Sequence, residues 1–508
     1  MISHYLLSSD IAYLSVCSRF DNQGFSQTQA MDAFAQRFGN YNPTTNTWAV
    51  PTYFLSFLNG FPSIGQALGA YIGSIISARY GRRMTVFVMS IWAIVSAIII
   101  ITSKNKVQIL MGRILNYVYV GMELSVISVY QAELMPGPIR GFAVGSYQMS
   151  IGLGGIVINI ICNRTAMLKS DAAFLIPFGM YFIVPTIVSS LVWFMPESPR
   201  WLLSKGRVDE ATASLGRIRV DHSPDAIESE IHMIQLALEM EKERGSYLDL
   251  FRKPNRRRTS IAWASNFFLQ ASGQSFVSQY GAVFFKSIGA ANPFALTTGN
   301  TTLLTGACLI NMYLMDHVGR RPMYLIGSML QGSSQFIVGA MGTQPQTQTI
   351  KTVIVGFTMS FAFFYGIGIG PLNWVTTTEV PEQRLRDKTV RTAAWVNTVT
   401  SFVVSFTLPY LLNAPYADLS SKVGFIYGSI TFTATVWAYF FLPELGGRTL
   451  DEIDLLFHEN ISAVASSRWK PDTLHELEAI ALGEHGDKGN REDDQKEDIQ
   501  QIERPPRV

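Results

Sequence analysis

Charged residues are scarce in this chain of 508 residues. Asp, Glu, Lys and Arg make up 15% of it, against about 25% in an ordinary soluble domain. Hydrophobic residues account for 48%, and the mean hydropathy of +0.19 averages over a charged middle segment and a charged tail. The other segments are therefore more apolar than the mean, which argues against a soluble enzyme. The 40 basic and 38 acidic residues nearly cancel, so the charge balance predicts no nucleic-acid partner.

Motifs for metals, disulfides and nucleotides are missing as well. The cysteines Cys17, Cys162 and Cys308 are far apart and show no CxxC or CxxxH spacing. The seven histidines also lack ligand spacing, so no metal site is predicted. The GLGG at 152–155 lies inside an apolar run, and no GxxxxGK[ST] sequence occurs. We therefore expect neither an enzyme nor a bound cofactor.

Long apolar runs, by contrast, are abundant. A helix needs about 20 mainly apolar residues to cross a bilayer, because every backbone amide must be bonded within the segment. No cleavable signal peptide is recognisable. The sequence predicts an all-α membrane protein with twelve spans, at residues 5–28, 48–77, 84–103, 107–133, 141–163, 173–195, 259–288, 296–317, 322–343, 350–378, 388–412 and 422–442.

Basic residues at the ends of the spans predict the orientation. Lys and Arg are retained in cytoplasmic loops, and here they concentrate in alternate short loops, as at Arg82 and Arg83. Both termini and the amphipathic segment 196–258 are therefore predicted to be cytoplasmic. The sequons at Asn163 and Asn300 are then expected in exterior loops.

An internal repeat divides the chain into two halves of six spans. Three charged loci recur, at separations of 238 (83 to 321), 246 (133 to 379) and 247 (197 to 444) residues. Parallel halves of this kind enclose a midplane site that is reached from each side in turn. We expect four parts: an N-terminal bundle (1–195), a cytoplasmic helical linker (196–258), a C-terminal bundle (259–442) and a cytoplasmic tail (443–508), disordered after about residue 458.

Several short motifs occur together in this chain: PESPRWLL at 196–203, PELGGRTLDEI at 443–453, GRR at 81–83 and 319–321, and GR at 112–113 with Tyr130 and Glu133 following. As a set they resemble the sugar porter branch of the major facilitator superfamily, most of all its fungal members. The resemblance covers residue 20 to about residue 457. It implies the major facilitator fold, with two pseudo-symmetric bundles of six helices, and secondary transport of a sugar.

Polar side chains inside apolar spans are costly and therefore informative. Four carboxamides of this kind offer both donors and acceptors to hydroxyl groups: Gln148, Gln270, Gln274 and Asn397. Gln270, Gln274 and Ser278 are spaced for one helical face. The resemblance implies that Gln148, Gln270 and Asn397 contact the sugar and that Trp374 stacks on it. The alternative is that each amide only joins neighbouring helices.

Charged residues at the predicted cytoplasmic helix ends recur in both halves: Arg82, Glu133 and Arg140 in the first, and Arg320, Arg321, Glu379 and Arg386 in the second. In the family that the chain resembles, such clusters close the inner gate in the outward-open form and part in the inward-open form. The alternative is that these charges only set the topology.

Asp21 in the first span and Arg113 in the fourth are candidates for proton coupling. Intramembrane carboxylates pair with a cation or mark a proton route, and symporters of the family that the chain resembles carry Asp at this position. Some fungal facilitators also retain it. The alternative is an ion pair that only holds two helices together.

The sequence thus predicts a proton-coupled importer of a sugar or related polyhydroxy compound. We expect a monomer in the plasma membrane that contacts lipid and the sugar-like substrate. Two alternatives stay open. One is a non-transporting nutrient sensor, although fungal sensors carry much longer tails. The other is a facilitator or exporter of a small polyhydroxylated metabolite.

Overall fold

The computed structural model describes residues 20–469, apart from 44–45, 135–136, 220–222, 241–245, 254, 291, 415 and 449. Further side chains also lie outside the description, at residues 42, 128, 132, 137–149, 151, 237, 240, 316, 383, 450 and 451. The predicted first span is therefore described only from Phe20 onward. The tail from residue 470 lies outside the described residues.

The first half contains nine helices among its described residues. Residues 20–28 form α1, and α2 (Asp32–Phe38) leads into a hairpin of β1 (Asn40–Asn42) and β2 (Thr47–Ala49), in which Tyr41 lies opposite Trp48. The longer helices follow: α3 (Thr52–Gly60), α4 (Pro62–Tyr80), α5 (Arg82–Ile101), α6 (Lys106–Leu134), α7 (Gly137–Thr165), α8 (Ala172–Gly179) and α9 (Ile183–Leu191). Proline 62 begins α4 and separates it from α3, as expected for a residue that lacks a backbone N–H.

Three shorter helices follow the first half: α10 (Pro199–Ser204), α11 (Val208–Ile218) and α12 (Pro224–Met240). Ser198 caps α10 by accepting a hydrogen bond from the backbone N–H of Trp201. Trp201 in turn donates from Nε1 to the carbonyl of Ala78 at 3.1 Å, and Arg219 donates to the carbonyl of Leu134 at 3.1 Å. The linker helices therefore pack against the end of the first half at which α4 ends.

The second half repeats the same layout with α13 (Asn255–Ala271), α14 (Gln274–Ser287), α15 (Pro293–Val318), α16 (Arg320–Met341), α17 (Gln348–Ile367), α18 (Ile369–Glu379), α19 (Arg386–Leu412) and α20 (Val423–Phe441). Gly273 separates α13 from α14 in the left-handed region, with φ of 88°. Gly368 separates α17 from α18, and a Cβ there would lie 2.9 Å from the Cα of Gly327. Both breaks thus depend on glycine.

The predicted fold class is confirmed: the described residues are all-α apart from the hairpin, and from the second span onward the helices cover the predicted spans to within a few residues. Five described segments are long and apolar enough to cross a membrane by length and composition alone: Arg82–Ile101, Ala172–Phe194, Gln348–Glu379, Arg386–Leu412 and Ser420–Phe441. Close packing holds each half together. In the first half, α4 lies against α6 so closely that a Cβ on Gly69 would come within 1.9 Å of the carbonyl oxygen of Val118.

Two expectations about exposed segments are wrong. The Asn300 sequon lies inside α15 with its side chain 4% exposed, and Asn163 lies in the last turn of α7, so neither is in an exterior loop. Residues 459–469, for which we expected disorder, instead contain α22 (Ala463–Ser466), after α21 (Leu450–His458). The segment is held because Arg257 donates to the carbonyl of Ile461 at 2.8 Å and Ser466 accepts from the backbone N–H of Glu444 at 2.8 Å.

Candidate functional site

The two halves meet along a seam, defined here as the contact surface between α1–α9 and α13–α20. We call the end where Arg82, Arg320 and α10–α12 lie the arginine-rich end. Ser26 Oγ donates to the carbonyl of Gln279 at 2.7 Å, and Lys286 Nζ contacts Asp32 at 2.7 Å. The first contact joins the last turn of α1 to the middle of α14, and the second joins the start of α2 to the end of α14, opposite the arginine-rich end.

Two further contacts close the same end of the seam. Asn159 of α7 donates to Thr301 of α15 at 2.9 Å. Phe61, between α3 and α4, stacks on Phe402 and Phe406 of α19, with ring centroids 6.3 and 6.2 Å apart. The structure therefore describes the form in which the two halves are joined at the end remote from α10–α12.

A network of side-chain amides lies within the second half, where α13, α18 and α19 meet. Gln270 Nε2 donates to Asn397 Oδ1 at 3.2 Å, and Asn397 Nδ2 donates to Asn266 Oδ1 at 3.3 Å. Asn373 Nδ2 donates to the same oxygen of Asn266 at 3.3 Å and accepts from Ser265 Oγ at 2.8 Å. We call Gln270, Asn397, Asn266 and Asn373 the amide network.

The remaining predicted sugar contacts are Trp374, Gln274 and Gln148. Trp374 directly follows Asn373 and is 50% exposed. Gln274 begins α14, beyond the break at Gly273. The expectation that Gln270 and Gln274 share one helical face is therefore wrong, because they belong to two helices. Gln148 is in α7, and its side chain lies outside the described residues.

Asp21 and Arg113 are both buried, with 4% and 1% of their surfaces exposed. Asp21 accepts hydrogen bonds from Tyr119 Oη and, at 3.2 Å, from Asn116 Nδ2. Arg113 donates instead to Tyr117 Oη at 3.3 Å and to Asn22 at 3.5 Å.

The guanidinium of Arg113 also lies 4.1 Å from the ring centroid of Phe25, a cation–π contact. Its Nε and Nη1 atoms have no hydrogen-bond partner among the described residues. Asp21 and Arg113 thus share one buried cluster, and in this form each is held by neutral side chains. The structural ion pair considered for them is not formed here.

The first charged cluster lies at the arginine-rich end of the first half. Arg82 donates to both carboxylate oxygens of Glu133 at 2.8 Å, in the bidentate geometry that arginine favours. Ser198 Oγ donates to the same carboxylate at 2.6 Å. Glu197 accepts the backbone N–H of Arg82 at 2.9 Å and that of Arg83 at 3.2 Å, and so caps the start of α5.

The second charged cluster repeats this arrangement. Arg320 contacts Glu379 at 3.5 Å, and Glu444 accepts the backbone N–H groups of Arg320 at 2.9 Å and of Arg321 at 3.2 Å. Arg321 donates from its guanidinium to the carbonyl of Tyr439 at 2.8 Å. The ion pairs of both clusters lie within one half and stay formed while the opposite end is closed.

Arg386 begins α19, and its Nε and Nη2 atoms are buried without a hydrogen-bond partner among the described residues. The side chain of Arg140, its counterpart in the first half, lies outside the described residues. Neither of these two atoms of Arg386 is bonded to Glu379.

Sequence reasoning missed four residues of these sites. Asn266 and Asn373 are asparagines inside apolar spans, so the rule that singled out Gln270 and Asn397 could have found them. Glu197 and Glu444 were recognised only as part of the repeat. Their role as caps depends on Gly81 and Gly319, whose φ values of 98° and 100° turn the chain into the following helix.

Comparisons with known proteins agree with this architecture. The sequence model of the family described as "Sugar (and other) transporter" matches residues 11–457. The chain is 28% identical to "Major facilitator-type transporter ecdD" of Aspergillus rugulosus, over 95% of this chain and 92% of that protein. It is 27% identical to "High glucose sensor RGT2" of Saccharomyces cerevisiae, over 84% of this chain and 58% of the sensor.

Among solved structures, the inward open conformation of the xylose transporter XylE from E. coli is similar to this fold. The TM-score is 0.73 at 20% sequence identity, over 89% of this chain and 99% of that chain. At this level of identity, the likeness concerns the fold alone.

Proposed function

We propose that this chain, which belongs to the sugar (and other) transporter family, carries a sugar or related polyhydroxy compound across a membrane by alternating access, with a proton as co-substrate. Family membership and the long apolar helices make it an integral membrane protein with many spans. The direction proposed is import at the plasma membrane. The arginine-rich end would face the cytoplasm, because basic residues are retained on that side.

The amide network is the observation that carries the proposal. Gln270, Asn397 and Asn266 donate to and accept from one another across two helices of the second half. Each carboxamide can exchange such a bond for one with a sugar hydroxyl at little net cost, because the donor and acceptor types match. Trp374, half exposed beside the network, supplies a flat apolar face for the ring of a sugar.

Alternating access is supported by where the two halves touch. The contacts of Ser26, Asn159 and Lys286 across the seam lie at one end of the bundle. A site between two halves that rock about a midplane is reached from one side when the other is closed. In the described form, the amide network would accordingly be reached from the arginine-rich end.

Proton coupling is proposed for Asp21. An acid that gains a cationic partner in one conformation and loses it in the other changes its proton affinity between them. In the described form, Asp21 is held by Asn116 and Tyr119, and Arg113 is held elsewhere. We propose that Asp21 and Arg113 come into contact in the form that is open at the opposite end.

The test is uptake by cells that lack their own hexose transporters and express this chain. Radiolabelled monosaccharides, disaccharides, polyols and quinate are offered one at a time, with an empty vector as control. We expect uptake of at least one of them above the control. Surface expression without uptake of any of them would contradict transport.

A nutrient sensor is the second candidate function, because the chain is similar to a high glucose sensor. A sensor would change the expression of transporter genes in response to sugar, with no uptake of its own. The same cells therefore separate the two functions when a transcriptional reporter is read beside the uptake.

A further inference from the structure

Five carboxamides outside the amide network belong to the helices that border the seam at the closed end: Gln23 and Gln27 of α1, Asn159 of α7, Gln279 of α14 and Asn300 of α15. Three of them belong to the first half and two to the second. Gln23 and Asn159 meet the second half beside Gly155 of α7. A Cβ on Gly155 would be 3.5 Å from Cγ of Gln23 and 3.3 Å from Cγ2 of Thr301, the residue that accepts from Asn159.

These amides have side-chain atoms without hydrogen-bond partners in the described part of the chain, and four of the five are buried residues. Gln27 and Asn159 are 0% exposed, and Gln23 and Asn300 are 4% exposed. Both amide atoms of Gln27 and the side-chain oxygens of the other four lack a hydrogen-bond partner among the described residues. A buried polar group that is left unpaired destabilises the form in which it is buried.

Helix packing alone does not account for this cost. Gln29, directly after the end of α1, is also buried but is paired with Asn59, donating at 3.1 Å and accepting at 2.8 Å. The chain can therefore satisfy a buried carboxamide within one half. The five unsatisfied ones all belong to helices that must separate when the seam opens, so a ligand of the open form can supply the missing bonds.

We propose that Gln23, Gln27, Asn159, Gln279 and Asn300 form a second binding site for a hydroxyl-rich solute, the outer amide site, which is occupied when the seam opens. This inference rests on the proposed function and extends it to the size of the substrate. The chemistry is that of the amide network, since every member offers an uncharged donor and acceptor.

The position along α7 sets which part of a substrate the outer amide site holds. Gly155 and Asn159 follow the expected sugar contact at residue 148 by 7 and 11 residues, which is about 10 and 16 Å at a helical rise of about 1.5 Å per residue. A single hexose bound at residue 148 does not extend so far. The outer amide site therefore meets only the part of a longer substrate beyond its first ring, which begins with the second ring of a disaccharide.

The test compares one-ring and two-ring solutes on the intact transporter. Unlabelled disaccharides and monosaccharides compete for uptake of a labelled monosaccharide by whole cells, and the inhibition constant of each is measured. We expect Gln27→Leu to raise the inhibition constant of a disaccharide by about fivefold or more, the effect of losing roughly one hydrogen bond. The monosaccharide constant should change by less than about twofold.

Gln331→Leu is the matched control, because Gln331 of α16 is also 0% exposed with both amide atoms unpartnered among the described residues. It lies inside the second half, away from the seam, and should leave both constants unchanged. Gln23→Leu is a second test variant if Gln27→Leu does not reach the cell surface.

Three outcomes would overturn the outer amide site: no inhibition of the wild type by any disaccharide, an equal rise for both solutes, or no rise in either variant. All three require monosaccharide uptake by the wild type. They are therefore distinct from failure of the proposed function, in which the wild type takes up no sugar at all.

Discussion

Asp21 and Arg113 lie in one buried cluster of the first half without forming an ion pair. The carboxylate of Asp21 accepts from Asn116 at 3.2 Å, and the guanidinium of Arg113 donates to Tyr117 at 3.3 Å. A buried charge is costly unless it is paired. An ion pair between the two side chains in another conformation would therefore be favourable, and proton coupling requires such a change.

Replacing Asp21 by Asn should abolish proton-driven accumulation and preserve exchange of substrate down its gradient. The amide keeps the hydrogen bonds of the site but cannot release a proton. Accumulation ratios and counterflow are measured with labelled substrate at equal surface expression. Asp209→Asn, an exposed change on α11, is the control. Accumulation of substrate by Asp21→Asn at the wild-type level would contradict proton symport through Asp21.

Replacing Gln270 or Asn397 by Ala should raise the apparent KM of uptake by about 2- to 10-fold, since a lost hydrogen bond costs about 0.5–1.5 kcal/mol. Either change breaks the same bond of the amide network, so the double variant should cost less than the sum of the two. Gln346→Ala, in an exposed loop, is the control. Unchanged KM in both single variants would refute their contact with substrate.

Replacing Glu197 or Glu444 by Gln should lower the midpoint of thermal unfolding in detergent. Each carboxylate caps a helix by accepting two successive backbone N–H groups, and such a cap contributes about 0.5–2 kcal/mol. Glu210→Gln breaks an exposed ion pair with Arg207 and should shift the midpoint less. Equal shifts of the unfolding midpoint in all three variants would show that the two caps stabilise the fold no more than an exposed ion pair does.

A disulfide across the seam should stop transport. A Cβ on Gly152 of α7 would lie 3.2 Å from Cβ of Thr305 on α15, so a small outward shift of one helix brings the pair to the Cβ separation of about 3.5–4.5 Å found in disulfides. Gly152→Cys with Thr305→Cys should therefore cross-link under oxidation and hold the closed end shut. Uptake should fall and return on reduction, while each single variant responds to neither treatment. Full uptake by the cross-linked protein would contradict opening of the seam at this point.

The spans and the repeat could be predicted because both depend on which residues occur in short stretches of the sequence. Apolar runs reveal the helices, and the charged loci at their ends recur at a nearly constant separation. Gln270, Asn397, Asp21 and Arg113 were recognisable for the same reason, since each is a polar residue in an apolar run.

The remaining features depend on tertiary structure. The left-handed Gly273 divides the seventh span, so the spacing of Gln270 and Gln274 no longer defines one face. Asn300 is buried because α15 begins at Pro293, two turns before it. The capping role of Glu197 requires the turn at Gly81, which brings the PESPR segment to the start of α5.

The most direct test of the central claim is transport by the purified chain in proteoliposomes. Vesicles loaded with unlabelled substrate are diluted into labelled substrate, and counterflow is followed with and without an inward proton gradient. We predict transient accumulation of label without the gradient and sustained accumulation with it, both reduced in a Gln270→Ala, Asn397→Ala double variant. Label at the level of protein-free vesicles in every condition, for a substrate that the cells take up, would contradict the claim that this chain is itself the transporter.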